Sequence, residues 1–470
     1  MNSIIINTIN RIFEFSQNKC AYLWENSFFL KNIDNLIFAT IIGVFILSTF
    51  ASSDVIGYVS LITLFLTVIK LFIKKDEKIE PNLFEYFLLV YFLLVVVSLA
   101  GSSLFSLSFK GFLKTFTYLG FYFSAVQYYK NNLAKIPFTI FVIAMCAASQ
   151  GIIGIFQNFS QVGEISTWQD VTNINPEDVM TRVYGTLQPY NPNLFGGYLI
   201  ASLPCLFGAF FLELISKNNV MLNLVQHLTS EKPCITCKNY FFVIIYFILI
   251  CLTSFALILS GCRGAYIGFL AMMVCFFVLL AKFIWCDLEN KKEFFKKLYL
   301  SFLTAVIAFS TCVVLFVSSI RTRFFSIFAM RGDSSTSFRF NVYQSVLQMI
   351  KDNWLLGIGV GNQNFREIYG LYMRTGFDAL SCYSVFLEIA VESGIFALIA
   401  FLGFLAALTY QAITFILNTK DLKSSLIVST ALVCVIAVMV HGLVDTIFFR
   451  PQIQFIFWTM VSFVSAVGRD

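Results

Sequence analysis

Charge is what this chain has least of. Asp, Glu, Lys and Arg make up 12% of its 470 residues, against roughly 25% in soluble domains. Apolar residues reach 58%, more than an ordinary soluble core of this length would bury. Histidine is almost absent, with two residues in the whole chain. No Cys/His cluster, H-E-x-x-H helix or ordered Ser-His-Asp set is present, so no metal and no cofactor is expected. The twelve cysteines form no disulfide framework. Cys146, Cys205, Cys251, Cys275, Cys312 and Cys434 fall inside apolar runs as small hydrophobes, and Cys234 and Cys237 make a lone C-x-x-C without a second pair. No polar stretch is long enough for an independent soluble core. A cleavable signal is not visible either. The first ~30 residues intersperse Arg11, Glu14, Lys19, Glu25 and Lys31 with apolar residues, the pattern of an interfacial amphipathic helix.

What is there is a series of apolar runs of about 18–22 residues. That length crosses a ~30 Å hydrocarbon layer at ~1.5 Å per residue. The runs are 34–52, 56–73, 83–101, 109–128, 137–157, 194–213, 239–260, 264–283, 298–319, 385–416, 425–447 and 452–468. The pattern predicts an all-α polytopic membrane bundle of about twelve helices. Residues 1–33 form an N-terminal interfacial segment, 34–319 carry spans one to nine, 320–384 form a large exterior loop with short helices, and 385–470 carry spans ten to twelve. The tenth run reads as one long helix that starts outside the bilayer. The 56 phenylalanines suit lipid-facing surface.

The net charge of +6 is not spread evenly. Alternate connections are basic, holding Lys74, Lys75 and Lys78, then Lys130 and Lys135, then Lys217, Lys232 and Lys238, then Lys291, Lys292, Lys296 and Lys297, then Lys420 and Lys423. The positive-inside rule places these in the cytoplasm, with both termini inside. No nucleic-acid partner is implied; the lipid bilayer is the expected one.

The opposite connections hold few cations: Lys110, Arg182, Arg263 and Arg450. Within the exterior loop, residues 338–351 space Phe338, Val342, Val346 and Ile350 as a helix face with Ser337 as N-cap, and Tyr343 follows Arg339 by one turn. An arginine at a membrane boundary can simply snorkel to headgroups. Four on one side with few carboxylates nearby point instead to an anion site, since guanidinium forks grip phosphate or carboxylate with paired hydrogen bonds. His441 and Asp445 stand i,i+4 near the outer end of the eleventh run, with Arg450 as a possible counter-ion; a structural hydrogen-bonded pair fits equally. Glu388 and Glu392 share a helix face, as catalytic candidates or as ordinary bundle polar groups. Lys114 faces the bundle interior or snorkels outward. The GIGVGN run at 357–362 lacks the strand and the Lys-Ser/Thr of a phosphate loop, so its glycines serve tight turning. Arg331-Gly332-Asp333 reads as a chance tripeptide.

Several segments together resemble the O-antigen ligase/polymerase superfamily. Cys262-Arg263-Gly264-Ala265 stands where that family has Ser-Arg-Gly-Ala. Arg339, Tyr343 and NWLLGIGVGNQNF (353–365) follow its arginine, aromatic and glycine-rich element, and Arg182, Gly185 and Asn191-Pro192-Asn193 its arginine, glycine and Asn-Pro-Asn region. The resemblance covers roughly 160–465. ALSCYSVFLEIAVESG (379–394) and HGLVDTIFFRPQ (441–452) look closest to a cyanobacterial branch labelled a bicarbonate (inorganic-carbon) transporter. The family's histidine-asparagine pair is replaced here by Tyr383-Ser384, and a tyrosine of ordinary pKa is a poor base at neutral pH.

The resemblance implies a fold akin to other polyprenol-dependent glycosyltransferases and a place in a bacterial cell (inner) membrane. It implies transfer of a saccharide from a polyprenyl-diphosphate carrier to a lipid or glycan acceptor on the outer face, as in polysaccharide and lipopolysaccharide biosynthesis. Arg182, Arg263, Arg339 and Arg450 are then the diphosphate-binding residues and Asn193 and Tyr343 substrate-binding ones. Glu388, Tyr383, Asp445 and His441 are left to supply proton transfer. The alternatives are a small-anion (bicarbonate) transporter using the same arginines and a non-catalytic lipid-glycan binding protein.

Overall fold

The computed structural model describes residues 2–160, 182–216, 241–287 and 334–468, with scattered positions between 293 and 321. Among these residues there is no β-strand. The helices are α1 (Asn2–Asn26), α2 (Phe28–Lys31), α3 (Ile33–Leu47), α4 (Ser53–Ile73), α5 (Leu83–Gly101), α6 (Phe105–Tyr129), α7 (Ile136–Phe159) and α8 (Pro192–Ser216). They continue with α9 (Phe241–Leu259), α10 (Arg263–Lys282), α11 (Ser334–Asp352), α12 (Asn362–Tyr369), α13 (Val385–Ser393), α14 (Ile395–Asn418), α15 (Leu422–His441) and α16 (Pro451–Val467). Eight of them (α4, α5, α7–α10, α14 and α15) are long and apolar enough to cross a membrane, and α3 and α16 are shorter apolar helices. The chain is an all-α polytopic membrane protein. The expected span at 298–319 falls mostly outside the described residues, as do Cys234, Cys237, Arg331 and Asp333.

The bundle is built around α16. Every residue from Pro451 to Val467 is buried, so this helix meets protein rather than lipid around its whole circumference. Phe455 packs edge-on against Tyr118 and Phe121 of α6, and Trp458 meets Tyr122 of α6 and Phe404 of α14. Pro451 occupies the first turn, where a missing N–H costs nothing. At the far end Ser465 donates to Glu85, which also caps the start of α5 by accepting the Asn82 N–H at 2.6 Å and takes the Tyr122 hydroxyl at 2.5 Å. One carboxylate thereby ties α5, α6 and α16. Nearby, Lys70 of α4 is 1% exposed and lies 2.8 Å from Asp34 and 3.0 Å from Glu77. The α1 side chain of Gln17 donates to Leu71 and Glu77 carbonyls in the same layer, so the N-terminal helix is fastened to the bundle.

Three expected helix boundaries are corrected. The run 385–416 is not one helix but two, α13 and α14, broken at Gly394 (φ 83°). The break exists because the 354–361 segment packs there: Ile395 donates to Trp354 O, Ile358 to Val391 O, and a Cβ on Gly394 would sit 2.4 Å from Leu355 O. The eleventh run stops at His441 rather than 447, where Val385 N–H bonds Gly442 O at 2.8 Å and Val385 fills the space a Gly442 side chain would need. His441 therefore ends α15 and Asp445 lies in the turn beyond it, not one helical turn further along. Finally, α11 starts at Ser334, so Ser337 is inside the helix and not its N-cap. As expected, α11 turns Val342 and Val346 inward, into a second small core with Phe365, Tyr369, Cys382 and Val391.

The glycine run works as a turn element. Gly357, Gly359 and Gly361 have φ of 72°, 99° and 113°, a region that L side chains avoid. Glu392 accepts the Gly361 N–H at 2.7 Å, Ser108 of α6 accepts the Val360 N–H, and α6 presses so close that a Cβ on Gly111 would lie 2.4 Å from Val360 O. Gly111→Val should therefore cost about 1–3 kcal/mol by overpacking and lower the unfolding temperature of the detergent-solubilised protein by several degrees. Gly57→Ala, where nothing lies within 4 Å, should leave it unchanged or slightly raised. Equal melting of both variants in a thermal-shift assay would mean that α6 and the loop are not in contact.

Candidate functional site

The arginines that sequence places on separate connections converge on one cavity of about 880 Å³. Arg182 reaches it from the segment before α8. Gln157 and Gln150 fix that segment by accepting the Gly185 and Thr186 N–H groups at 2.8 and 2.9 Å. The Arg182 Nε–H donates to Ser260 O at 2.8 Å and its Nη2 bonds Asn193 Oδ1 at the start of α8. Gly261 (φ 63°) passes directly beneath, where a Cβ would lie 3.1 Å from Nε. Two of the five guanidinium donors are thus spent on holding the side chain in place. Arg263 is the first residue of α10, and Arg450 precedes α16; both line the cavity.

Arg339 comes from α11. Its Nη2 lies 3.6 Å from Asp445 Oδ2, and its guanidinium sits 5.5 Å above the Tyr383 ring. The partner of Asp445 is therefore Arg339 and not Arg450. Asp445 Oδ1 accepts the Thr446 N–H at 2.7 Å, and Thr446 shares a 2.7 Å hydroxyl bond with Ser381, so the turn after α15 and the loop before α13 are stitched together at the cavity wall.

Tyr383 lines the cavity in a left-handed conformation, φ 52°. A bulky residue held there stores strain of order 1–3 kcal/mol. The conformation is fixed from both sides: the Tyr343 hydroxyl donates to Tyr383 O at 3.1 Å, and Cys382 N–H donates to Glu388 Oε2 at 2.7 Å. Burial, and then the charge of Asp445, push the Tyr383 phenol up to about 12, against the opposing pull of Arg339. At neutral pH it is a neutral hydroxyl.

Two expected site residues do not line the cavity. Tyr343 stands behind Tyr383 and positions its carbonyl. His441 lies beneath the first turn of α10, in a slot made by Gly197, Gly264 and Gly268: a Cβ on Gly264 would be 2.6 Å from His441 Cδ2 and one on Gly197 3.2 Å from Cε1. Its Nε2 faces Cys262 Sγ at 3.8 Å. This contact was not legible in sequence, because 179 residues separate the partners. The close approach accounts for glycine after Arg263. Sequence reading also missed Asp54, at the start of α4, which lines the cavity with Lys110 and Lys114 of α6. Along the rim between α4 and α6 the lining is apolar and exposed: Tyr58, Leu61 and Leu113.

In sum of charge, six cations (Lys110, Lys114, Arg182, Arg263, Arg339 and Arg450) face three carboxylates (Asp54, Glu388 and Asp445). This suits a ligand with more than one negative charge. Among the described residues no group of three or more His, Cys, Asp or Glu is placed to hold a metal ion.

Residues 247–402 match the O-antigen ligase family model. No curated protein matches the chain. The O-antigen ligase match spans Arg263, Arg339, Tyr383 and Glu388, while Arg182, Asp445 and Arg450 lie outside it and reach the same cavity through the fold. Similarity to O-antigen ligases supports a membrane glycosyltransferase-like ligase or polymerase, and the inorganic-carbon transporter branch gains no support from it.

Since the Tyr383 phenol stays protonated and its carbonyl and backbone carry the hydrogen bonds, Tyr383→Phe should keep the activity of the site within about threefold of wild type. A group acting as general base contributes ~10²–10⁴-fold. Initial rates of the variant check this, and a loss of 100-fold or more would give the hydroxyl a chemical role.

Proposed function

We propose that this chain is a metal-independent glycosyltransferase of the O-antigen ligase/polymerase type. It takes a saccharide from a polyprenyl-diphosphate carrier and passes it to a lipid or glycan acceptor on the outer face of the cell membrane. The observation that carries the reading is the cavity itself: about 880 Å³, rich in guanidinium groups and edged by exposed apolar residues of α4 and α6. A lipid-linked diphosphate needs both features. A lone bicarbonate needs neither the volume, which is that of a site for large ligands, nor six cations.

In the reaction an acceptor hydroxyl oxygen forms a bond to the anomeric carbon, the bond from that carbon to the diphosphate oxygen breaks, and the electron pair leaves on the diphosphate. Arg182, Arg263 and Arg339 hold the diphosphate and stabilise the charge that grows on it. Asp445 orients Arg339, and Asn193 orients Arg182. The hydroxyl proton goes to Glu388, whose Oε2 is occupied by the Cys382 N–H and whose other oxygen takes the proton. His441 supports the site from behind, through Cys262 and the start of α10.

Purified protein given a polyprenyl-diphosphate saccharide and an acceptor should release polyprenyl diphosphate. Arg263→Lys and Arg339→Lys should each lose at least about tenfold in kcat/KM, since lysine keeps the charge but not the fork. Glu388→Gln keeps an acceptor oxygen for the Cys382 N–H and should slow release by ~10²-fold or more with donor affinity unchanged. Counter-flow of labelled bicarbonate into proteoliposomes, with no carrier turnover for any acceptor, would overturn the assignment.

A further inference from the structure

Lys110 and Lys114 are not explained by holding a single diphosphate. They stand i,i+4 on one face of α6 and are both exposed into the cavity. Lys114 is nine residues past Phe105, about 14 Å along the helix at ~1.5 Å per residue. Its flanks are the stacked rings of Phe109, Phe112 and Phe116. An ammonium at such a depth costs several kcal/mol unless it meets a counter-charge or water.

Elsewhere this protein supplies the counter-charge itself: Lys70, buried in the last turn of α4, has two carboxylates within 3.0 Å. Among the described residues neither Lys110 nor Lys114 makes an ion pair or hydrogen bond. Two carboxylates lie on their side of the molecule: Asp54 of α4, which lines the cavity with them, and Glu392, which is already bonded to the Gly361 N–H.

The two lysines also belong to a different wall from Arg182, Arg263 and Arg339. α6 packs on α4, α16 and the 357–361 loop, and Tyr118 fastens it to Phe449 O. Arg182 and Arg263 are held at the α9–α10 turn, and Arg339 on α11. A diphosphate diester gripped by those three leaves the α6 pair unmatched. We infer that Lys110 and Lys114 form a second anion subsite that binds a phosphate or carboxylate on the acceptor, so that the substrate class of the transfer is an anionic acceptor. The inference rests on the glycosyltransferase reading above.

The test uses the full-length protein in maltoside micelles, with one polyprenyl-diphosphate saccharide and two synthetic acceptors that differ only in a phosphate group. The wild type should favour the phosphorylated acceptor by about tenfold or more in kcat/KM, mainly through KM. In Lys110→Gln/Lys114→Gln that ratio should fall to about one, and Lys110→Arg/Lys114→Arg should restore most of it, which separates binding from folding. Equal use of the two acceptors by the wild type would overturn the subsite while leaving the transferase reading intact. A raised donor KM in the Gln pair would assign the lysines to the carrier. A preference that arises only when phosphatidylglycerol is added would assign them to a bilayer headgroup. Absence of carrier release with either acceptor is the separate failure, that of the reading on which the inference rests.

Discussion

A helix that touches no lipid organises this protein. α16 is enclosed along its whole length, so the membrane-crossing helices that surround it are spent partly on excluding lipid from one of their own number. Its side chains set where α6 and α14 lie, through Phe455 and Trp458, and its first turn sets where the cavity begins, because Arg450 and Pro451 are both lining residues. In hydrocarbon a polar side chain must find its partner within the protein. α16 meets much of that demand with two bonds inside the helix, Thr459 to Phe455 O and Ser462 to Thr459 O, and one long-range bond, Gln452 Nε2 to Gln188 O. The last of these reaches the segment that carries Arg182. The position of Arg182 at the cavity thus depends on the packing of a helix far away in sequence.

The cavity wall is assembled from helix ends and the turns between them. This explains why one part of the molecule was legible in the sequence and another was not. Apolar runs of membrane-crossing length fix most of the helices because lipid imposes their composition. The positive φ of Gly357, Gly359 and Gly361 is one that glycine adopts at little cost and other residues avoid. Convergence of Arg182, Arg263, Arg339 and Arg450 could be suspected, since guanidinium groups are rare on those connections. What could not be read were the points where one segment interrupts another. Largely apolar sequence continues past Gly394 and past His441, and the packing of residues 354–361 and of Val385 ends those helices. The exchange of Arg450 for Arg339 as partner of Asp445 has the same origin. Once α15 stops at His441, the carboxylate swings into a turn that faces α11.

The strongest departure from the family resemblance, a tyrosine in place of the expected histidine, is absorbed by backbone geometry. Tyr383 is forced to a positive φ, its ring lies under Arg339, and its carbonyl is held by Tyr343. The position contributes shape and a cation–π contact rather than a titrating group. The histidine among the described residues, His441, is sealed under Gly264, where it can hold the Cys262–Arg263 turn and thereby the direction of the Arg263 side chain.

For the proposed lipid-linked donor, the exposed apolar rim between α4 and α6 would divide the molecule in two. With Tyr58, Leu61 and Leu113 open on the side of the cavity, a polar head can turn inward while its tail stays in the hydrocarbon. The tail then makes few contacts that distinguish one chain length from another, since lipid solvates it before and after binding alike. Selectivity for such a donor would therefore reside in the head, and its encounter with the cavity would be a search in two dimensions, governed by the surface density of the donor rather than by its concentration in water.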